Sequence, residues 1–201
     1  MNVETCNNNP ELTFDPVNHQ YWLRGKQIPS VTWVLRVEGA IDDRYYTDYG
    51  LARGIAVHKG CELIAKGTVD WRSVDYRILP YLEAYQDFLQ KTGFIPEIIE
   101  KPFINEDLEY GTKPDQIGTW DSQKTVLELK TGKIPKWACL QTAGQAMAVC
   151  PQPTTIKRMA IELREDGTWM PQFYDDPEDL GIFMMMLGSA VWKLNNKLVT
   201  L

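Results

Sequence analysis

Two carboxylates and one ammonium group stand where two neighbouring strands would bring them together. Asp115 follows Pro114 at the end of one extended segment, and Glu128 and Lys130 lie on the next. Side chains alternate along a strand, so Glu128 and Lys130 project from the same face. Carboxylate oxygens are the ligands that Mg²⁺ prefers, and a lysine beside a metal can orient water and offset developing negative charge. This set of groups is what hydrolysis of a phosphodiester bond requires.

Each of these residues also has a purely structural interpretation. A Pro-Asp pair is common in turns. Glu128 lies in an apolar segment, where a buried carboxylate needs either a partner or a metal, and Lys130 would serve as such a partner in an ion pair. The residues alone therefore leave a structural pair and a reactive site open, and the surrounding motifs favour the reactive site.

The elements around these residues predict an α/β (α+β) chain with a central mixed β-sheet flanked by helices. Ser30 is a good N-cap for a helix that begins at Val31, and Gly93 is placed to end a later helix. The predicted strands are 97–104, 110–120, 124–131, 156–164 and 168–174, and the predicted helices are 31–36, 53–65, 76–92, 136–149 and 177–197. A hairpin is predicted over 12–28, and loops or short helices over 39–52. We expect a single domain over 1–201, with an N-terminal elaboration at 1–52 and a core at 53–201.

Composition limits the function classes. The chain has 201 residues and a net charge of −6, which argues against unspecific coating of nucleic acid but permits a DNA enzyme with a local metal site. The absence of an apolar run of 18 or more residues and of a signal-peptide pattern predicts no membrane partner and a cytoplasmic, intracellular location. The 4 cysteines are scattered without a C-x-x-C pair, so an Fe–S cluster is not expected.

Four motifs in this order resemble the PD-(D/E)XK nuclease superfamily, especially its RecB-like exonuclease branch, over about residues 53–149. The first is G-x-x-x-H, from Gly54 to His58 on the first core helix, and the second is the G-x-x-D strand motif, which ends in Asp115. The third is E-x-K-T-G, which begins at Glu128, and the fourth is W-x-x-x-Q, from Trp137 to Gln141 at the start of a later helix. A looser resemblance over 21–32 is to small phage exonucleases and to the mitochondrial genome-maintenance exonuclease type. The resemblance implies a restriction-endonuclease-like core.

The resemblance also implies roles for individual residues. The implied metal ligands are Asp115, Glu128, the Leu129 carbonyl and His58, with Mg²⁺ as the cofactor and Mn²⁺ as a substitute. Lys130 would position or activate the attacking water, and Gln141 would hold Lys130, a nucleotide or a loop. Glu62 and Glu100 are additional candidate ligands. The chain departs from the branch at Gln145, where tyrosine is frequent.

An aromatic-rich segment over 33–49 is a candidate surface for single-stranded DNA or frayed ends, because tyrosines stack on bases and arginines contact phosphate. Ordinary packing would explain the same composition equally well. The candidate DNA-binding residues are Arg36, Arg44, Tyr45, Tyr46, Tyr49 and Lys113.

Three functions follow from these motifs. The first is a metal-dependent exonuclease at DNA ends, in phage-type recombination, replication or repair, with proteins of those processes as partners. The second is a structure-specific or restriction-type endonuclease. The third is a nucleic-acid-binding module with an inactive site. The motifs do not specify the polarity of digestion, a preference for single or double strands, the choice between DNA and RNA, or the oligomeric state.

Overall fold

The structure is a computed structural model that describes residues 12–42, 44 and 47–201. In chain order its named elements are β1 (Leu12–Asp15), β2 (Gln20–Leu23), β3 (Lys26–Ile28), α1 (Val31–Val37), α2 (Asp48–Ala65), α3 (Leu79–Thr92), β4 (Ile95–Ile99), β5 (Phe103–Asn105), β6 (Tyr110–Thr112), β7 (Gln116–Trp120), β8 (Gln123–Lys130), α4 (Ala138–Val149), β9 (Lys157–Leu163), β10 (Trp169–Phe173) and α5 (Glu178–Asn195). Single 3₁₀ turns lie at Trp71–Ser73 and Pro153–Thr155.

A five-stranded sheet with the order β10-β9-β8-β7-β4 forms the centre of the fold. β8 and β9 are parallel and are joined by the crossover helix α4, whereas the other neighbours pair antiparallel. One face packs against α2 and α3, and the other packs against α4, with α1 and α5 beyond it. The predicted fold class, a central mixed sheet flanked by helices, is confirmed.

The alternation of side chains along β8 places its polar residues on the α4 side. Leu127 and Leu129 join the apolar cluster with α2 and α3, while Val126 joins the cluster with α4. Glu128 therefore projects toward α4, and Lys130 lies beside it with its Nζ 3.0 Å from Glu128 Oε2. The shared face predicted for Glu128 and Lys130 is confirmed.

The predicted strands 97–104 and 110–120 are each wrong as a single strand. The first breaks at Glu100, which has a left-handed φ of 51°, and the second breaks between β6 and β7 around Pro114. Each break contains a proline, Pro102 in the first and Pro114 in the second. Proline lacks a backbone N–H and restricts the residue before it, so the strand hydrogen bonding does not continue across either break. The outer pieces, β5 and β6, pair with each other as a separate two-stranded ribbon against α4.

Several helices begin or end at a residue whose side chain or backbone conformation caps the helix. Ser30 accepts a hydrogen bond from the Trp33 N–H and Gly93 is left-handed, which confirms both predicted ends. α2 begins at Asp48 and not at residue 53, because the Thr47 hydroxyl accepts the Gly50 N–H at 3.1 Å. Residues 48–52 of the segment 39–52, which was predicted as a loop or short helices, are thus part of α2. α3 and α4 begin at Leu79 and Ala138, later than predicted.

The three-stranded sheet β1-β2-β3 docks on the core through a close contact at Gly111. The Gly111 N–H donates to the Pro29 carbonyl at 2.9 Å, and the ring of the fully buried Tyr21 covers the glycine. A Cβ added at Gly111 would lie 2.4 Å from carbons of that ring. Only a residue without a side chain permits this approach.

Substituting Gly111 by alanine is expected to lower the free energy of unfolding by about 1–3 kcal/mol, because the added methyl overpacks the Tyr21 contact. At roughly 2–4 °C per kcal/mol for a chain of this size, thermal unfolding measures the change readily. Gly132→Ala is the control, because the added Cβ enters open space and Gly132 lies outside the helices. A Gly111→Ala protein with an unaltered melting temperature would contradict the role assigned to this contact.

Among the described residues, none of the helices combines the length and apolar character that crossing a bilayer requires.

Candidate functional site

Asp115 is fixed at the entrance of β7 by two neighbouring elements. Its Oδ2 accepts the backbone N–H of Leu129 at 2.7 Å, and its Oδ1 lies 3.0 Å from Nδ1 of His58 on α2. α2 is in turn tied to the end of β8, because Arg53 Nη2 donates to the Thr131 carbonyl at 2.9 Å. Asp115 is buried, with 7% of the residue exposed, and each of its carboxylate oxygens has one of these contacts.

The electrostatic coupling of His58 and Asp115 favours their charged forms. Burial opposes this, but His58, Lys130 and the Leu129 N–H together hold the pKa of Asp115 below its ordinary value. Burial lowers the pKa of His58, yet the Asp115 carboxylate outweighs burial and raises that pKa to about 9. Both shifts favour an imidazolium–carboxylate pair at the floor of the site.

Glu100 joins this pair to form a donor set suited to a divalent cation. One potential ligand atom each from His58, Glu100 and Asp115 lies within 4.8 Å of the others. Glu100 reaches the site because its N–H donates to the Asp115 carbonyl at 3.0 Å in the break after β4, and its carboxylate accepts a hydrogen bond from Lys113. Burial and the Asp115 charge raise the pKa of Glu100. Two carboxylates and an imidazole at this spacing fit a divalent cation, which would relieve the repulsion between the two acids.

Glu128 and Lys130 form a second group beside the first. Lys130 Nζ donates to Glu128 Oε2 at 3.0 Å and to Gln141 Oε1 at 2.9 Å, and it lies 5.2 Å from the ring centroid of Trp137. Burial and the charge of Asp115 raise the pKa of Glu128. Of the three roles predicted for Gln141, which were to hold Lys130, a nucleotide or a loop, the structure displays the contact with Lys130. The W-x-x-x-Q motif thus supplies both a ring and an amide to the same ammonium group.

Gln145 is a site residue that the sequence interpretation left out of the predicted set. It is 1% exposed, and its Nε2 donates a hydrogen bond to Glu128 Oε1. Its own Oε1 is buried and has no hydrogen-bond partner among the described residues. The signal was present in the sequence, because residues four apart on a helix share a face and Gln141 was already assigned to the site.

For the phosphodiester hydrolysis that the sequence motifs predict, replacing Gln145 by methionine is expected to reduce the rate by about 10–100-fold, since the buried Glu128 loses a donor that orients it. The free energy of unfolding should fall by about 1–3 kcal/mol for the unsatisfied acceptor. Steady-state cleavage rates and thermal melts measure the two effects separately. Gln152→Met, at an exposed position just before the 3₁₀ turn Pro153–Thr155, serves as the control. An unchanged rate in Gln145→Met would show that Glu128 needs no support from this amide.

Both groups lie at the bottom of one cleft with a volume of about 960 Å³. Its walls come from the hairpin β1-β2, the first half of α2, the turn after β8 and the start of α4. The hairpin residues Pro16, Val17 and His19 complete the rim, which sequence reasoning did not anticipate. Burial lowers the pKa of His19, and the Lys113 charge acts in the same direction.

Two predicted ligands have other contacts in the structure. Glu62 lines the cleft but is paired with Lys59 at 2.7 Å and Lys66 at 2.6 Å, and it is outside the group formed by His58, Glu100 and Asp115. Leu129 contacts Asp115 through its backbone N–H. A ligand role for the Leu129 carbonyl, as for the Glu128 carboxylate, stays a prediction.

The predicted DNA-binding residues are spread over a wider surface. Lys113 lines the cleft, whereas Arg36 lies at a neighbouring depression with Trp33, and exposed Arg44 is paired with Asp42 at 2.6 Å. Tyr49 is exposed and lies under the Arg53 guanidinium at 5.8 Å. Tyr45 and Tyr46 are outside the described residues. DNA contact by these six residues stays a prediction.

Comparison with known proteins identifies structural neighbours only. No protein-family model matches the chain, and no curated protein matches it. The solved structures that match include an alkaline exonuclease (LHK-Exo) from Laribacter hongkongensis, at 14% identity and a TM-score of 0.48, over 84% of this chain and 88% of that one. A second is LHK-Exo in complex with dAMP, at 13% identity and a TM-score of 0.43, over 85% and 89%.

Proposed function

We propose that this chain is a metal-dependent exonuclease of the PD-(D/E)XK superfamily, RecB-like branch, that hydrolyses phosphodiester bonds at DNA ends with Mg²⁺. The observation that carries the proposal is the convergence at one cleft floor of two groups. One is the donor set His58, Glu100 and Asp115. The other is the ammonium of Lys130, held by Glu128 and Gln141. If these residues served only as structural ion pairs, the two groups would have no reason to lie on the floor of the same cleft.

The residues divide the work of hydrolysis between them. His58, Glu100 and Asp115 would hold the cation, with Glu128 as a further candidate beside them. When bound, the cation supplies Lewis-acid polarisation of the phosphoryl group. Lys130 carries a positive charge that is fixed before the substrate arrives, so it can orient a water and offset charge that develops on the phosphate without reorganisation.

The surroundings keep the Lys130 ammonium in place for this role. Glu128 and Gln141 accept hydrogen bonds from it and Trp137 lies against it, so the position of the ammonium is defined by three neighbouring side chains. The side chain is 17% exposed at the cleft floor, where electrostatic interactions are stronger than in bulk water. A lysine in a mere surface pair would lack this fixed orientation.

Linear and closed circular DNA separate an exonuclease from an endonuclease. We expect linear DNA labelled at either end, single-stranded or double-stranded, to be degraded with Mg²⁺ or Mn²⁺, while closed circular DNA stays intact. The end that releases its label first gives the polarity, and a matched RNA strand tests the sugar requirement. Cutting of the circle would favour the endonuclease. Binding without cleavage of any substrate under either metal would favour an inactive binding module.

A further inference from the structure

The last helix, α5, has a second apolar face that points away from the core. Phe183, Leu187 and Ala190 are buried against the α4 side of the fold. On the opposite side of the helix, exposed residues recur at steps of four, three and four. They are Gly181, Met185, Gly188 and Trp192. This is the spacing by which one helix packs along another.

The exposed stripe alternates large and small residues. Met185 is 69% exposed and Trp192 is 60% exposed, while a Cβ at either Gly181 or Gly188 would meet nothing within 4 Å. Ile182 and Met184, also exposed, flank the stripe. Two bulky side chains thus stand beside two depressions on one helix face. Apolar surface of this kind on a folded chain marks an interaction site.

We propose that this stripe binds the same stripe of a second copy, with the two α5 helices antiparallel about a twofold axis. When the axis passes midway between Met185 and Gly188, Met185 faces the partner's Gly188 and Trp192 faces the partner's Gly181. Every bulky side chain then enters a depression, and each contact occurs twice, as an isologous interface requires. A parallel pairing in register would place Met185 on Met185 and the glycines on each other.

The charges at the two ends of α5 agree with the antiparallel arrangement. Asp175, Asp176 and Glu178 are exposed at its start, and Lys197 is exposed just after its end. The same register brings the acidic start of one helix beside the partner's Lys197. Opposed helix dipoles favour the pairing as well. A second copy is therefore complementary to this face in both shape and charge.

The expected dimer is reversible. An 18-residue helix is about 27 Å long, so a single helix pair forms an interface at the small end of the stable range. We therefore expect monomer and dimer to exchange with concentration. No residue of α5 is among those that line the cleft, so the dimer and the proposed cleavage can be tested independently.

Sedimentation velocity over a concentration series tests the proposal. We expect the wild type to shift from monomer to dimer as concentration rises, and both Met185→Glu and Gly188→Leu to remain monomeric at the concentrations where the wild type is dimeric. At concentrations where both proteins are monomeric, Gly188→Leu should melt no lower than the wild type, because a Cβ at this position meets open space and leucine favours a helix. Loss of the dimer therefore would not reflect a damaged fold.

The matched control is Ile95→Glu, which places the same charge at an exposed apolar residue on the edge strand β4. It should dimerise as the wild type does. A wild type that is monomeric at every concentration would overturn the proposal and assign the face to another partner. A dimer that persists in both α5 variants, or an assembly larger than a dimer, would overturn it equally.

Discussion

Replacing Lys130 by alanine is expected to reduce DNA cleavage by about 10²–10⁴-fold, the range that positioned proton-transfer and electrostatic groups contribute. The ammonium is the cation that Glu128 and Gln141 hold at the floor of the cleft. Its loss would remove the positive charge that is proposed to act on the phosphate. The rate of label release from linear DNA at saturating Mg²⁺ measures the effect.

The control for this prediction is Lys133→Ala, which removes another positive charge from the lining of the same cleft. It should retain most of the cleavage rate. Because Lys130→Ala leaves the buried Glu128 without its ion-pair partner, Lys130→Gln is made in parallel. Glutamine keeps a donor for Glu128 but lacks the charge. If folded Lys130→Gln cleaves at the wild-type rate, the ammonium has no part in the reaction.

Replacing Asp115 by asparagine is expected to abolish stabilisation by divalent cations. A ligand that binds only the folded state adds about 2.7 kcal/mol at one hundred times its Kd. In the wild type, this gain should appear as a rise in melting temperature with Mn²⁺ or Mg²⁺ relative to EDTA. Asp115 is the centre of the donor set, because it contacts His58 directly and lies beside Glu100. Because the proposed reaction needs the metal, Asp115→Asn should also cleave DNA more slowly than the wild type.

Comparing each protein with and without metal removes the effect of the substitution on the metal-free fold. Glu62→Gln is the matched control: it neutralises a carboxylate that also lines the cleft but is paired with Lys59 and Lys66. It should keep the full metal-induced shift. A metal-induced shift that survives in Asp115→Asn, or disappears in Glu62→Gln, would contradict the donor set proposed here.

Local patterns were enough to predict most elements and one half of the site. Strand alternation placed Glu128 and Lys130 on one face, and the structure confirms this because β8 is an unbroken central strand. Capping chemistry likewise located the start of α1 at Ser30 and the end of α3 at Gly93. Each of these features depends on neighbours within a few residues, so the sequence contains the information directly.

The other half of the site depends on contacts between distant segments. Glu100 was only an additional candidate on an uninterrupted strand, but the break after β4 turns the chain and brings its carboxylate to His58 and Asp115. That turn is stabilised by a hydrogen bond from the Glu100 N–H to the Asp115 carbonyl, fifteen residues further on. The hairpin that carries His19 reaches the rim through the contact at Gly111, which no local periodicity reveals.

The most direct test of the central claim is the cleavage rate of end-labelled linear DNA by the wild type, Lys130→Ala and Asp115→Asn, each with Mg²⁺ and with EDTA. We expect cleavage at the full rate only by the wild type with Mg²⁺, a rate at least about 100-fold lower for Lys130→Ala, and both variants to be folded by circular dichroism. Cleavage in EDTA, or cleavage at the wild-type rate by either folded variant, would contradict a metal-dependent nuclease site built on Asp115 and Lys130.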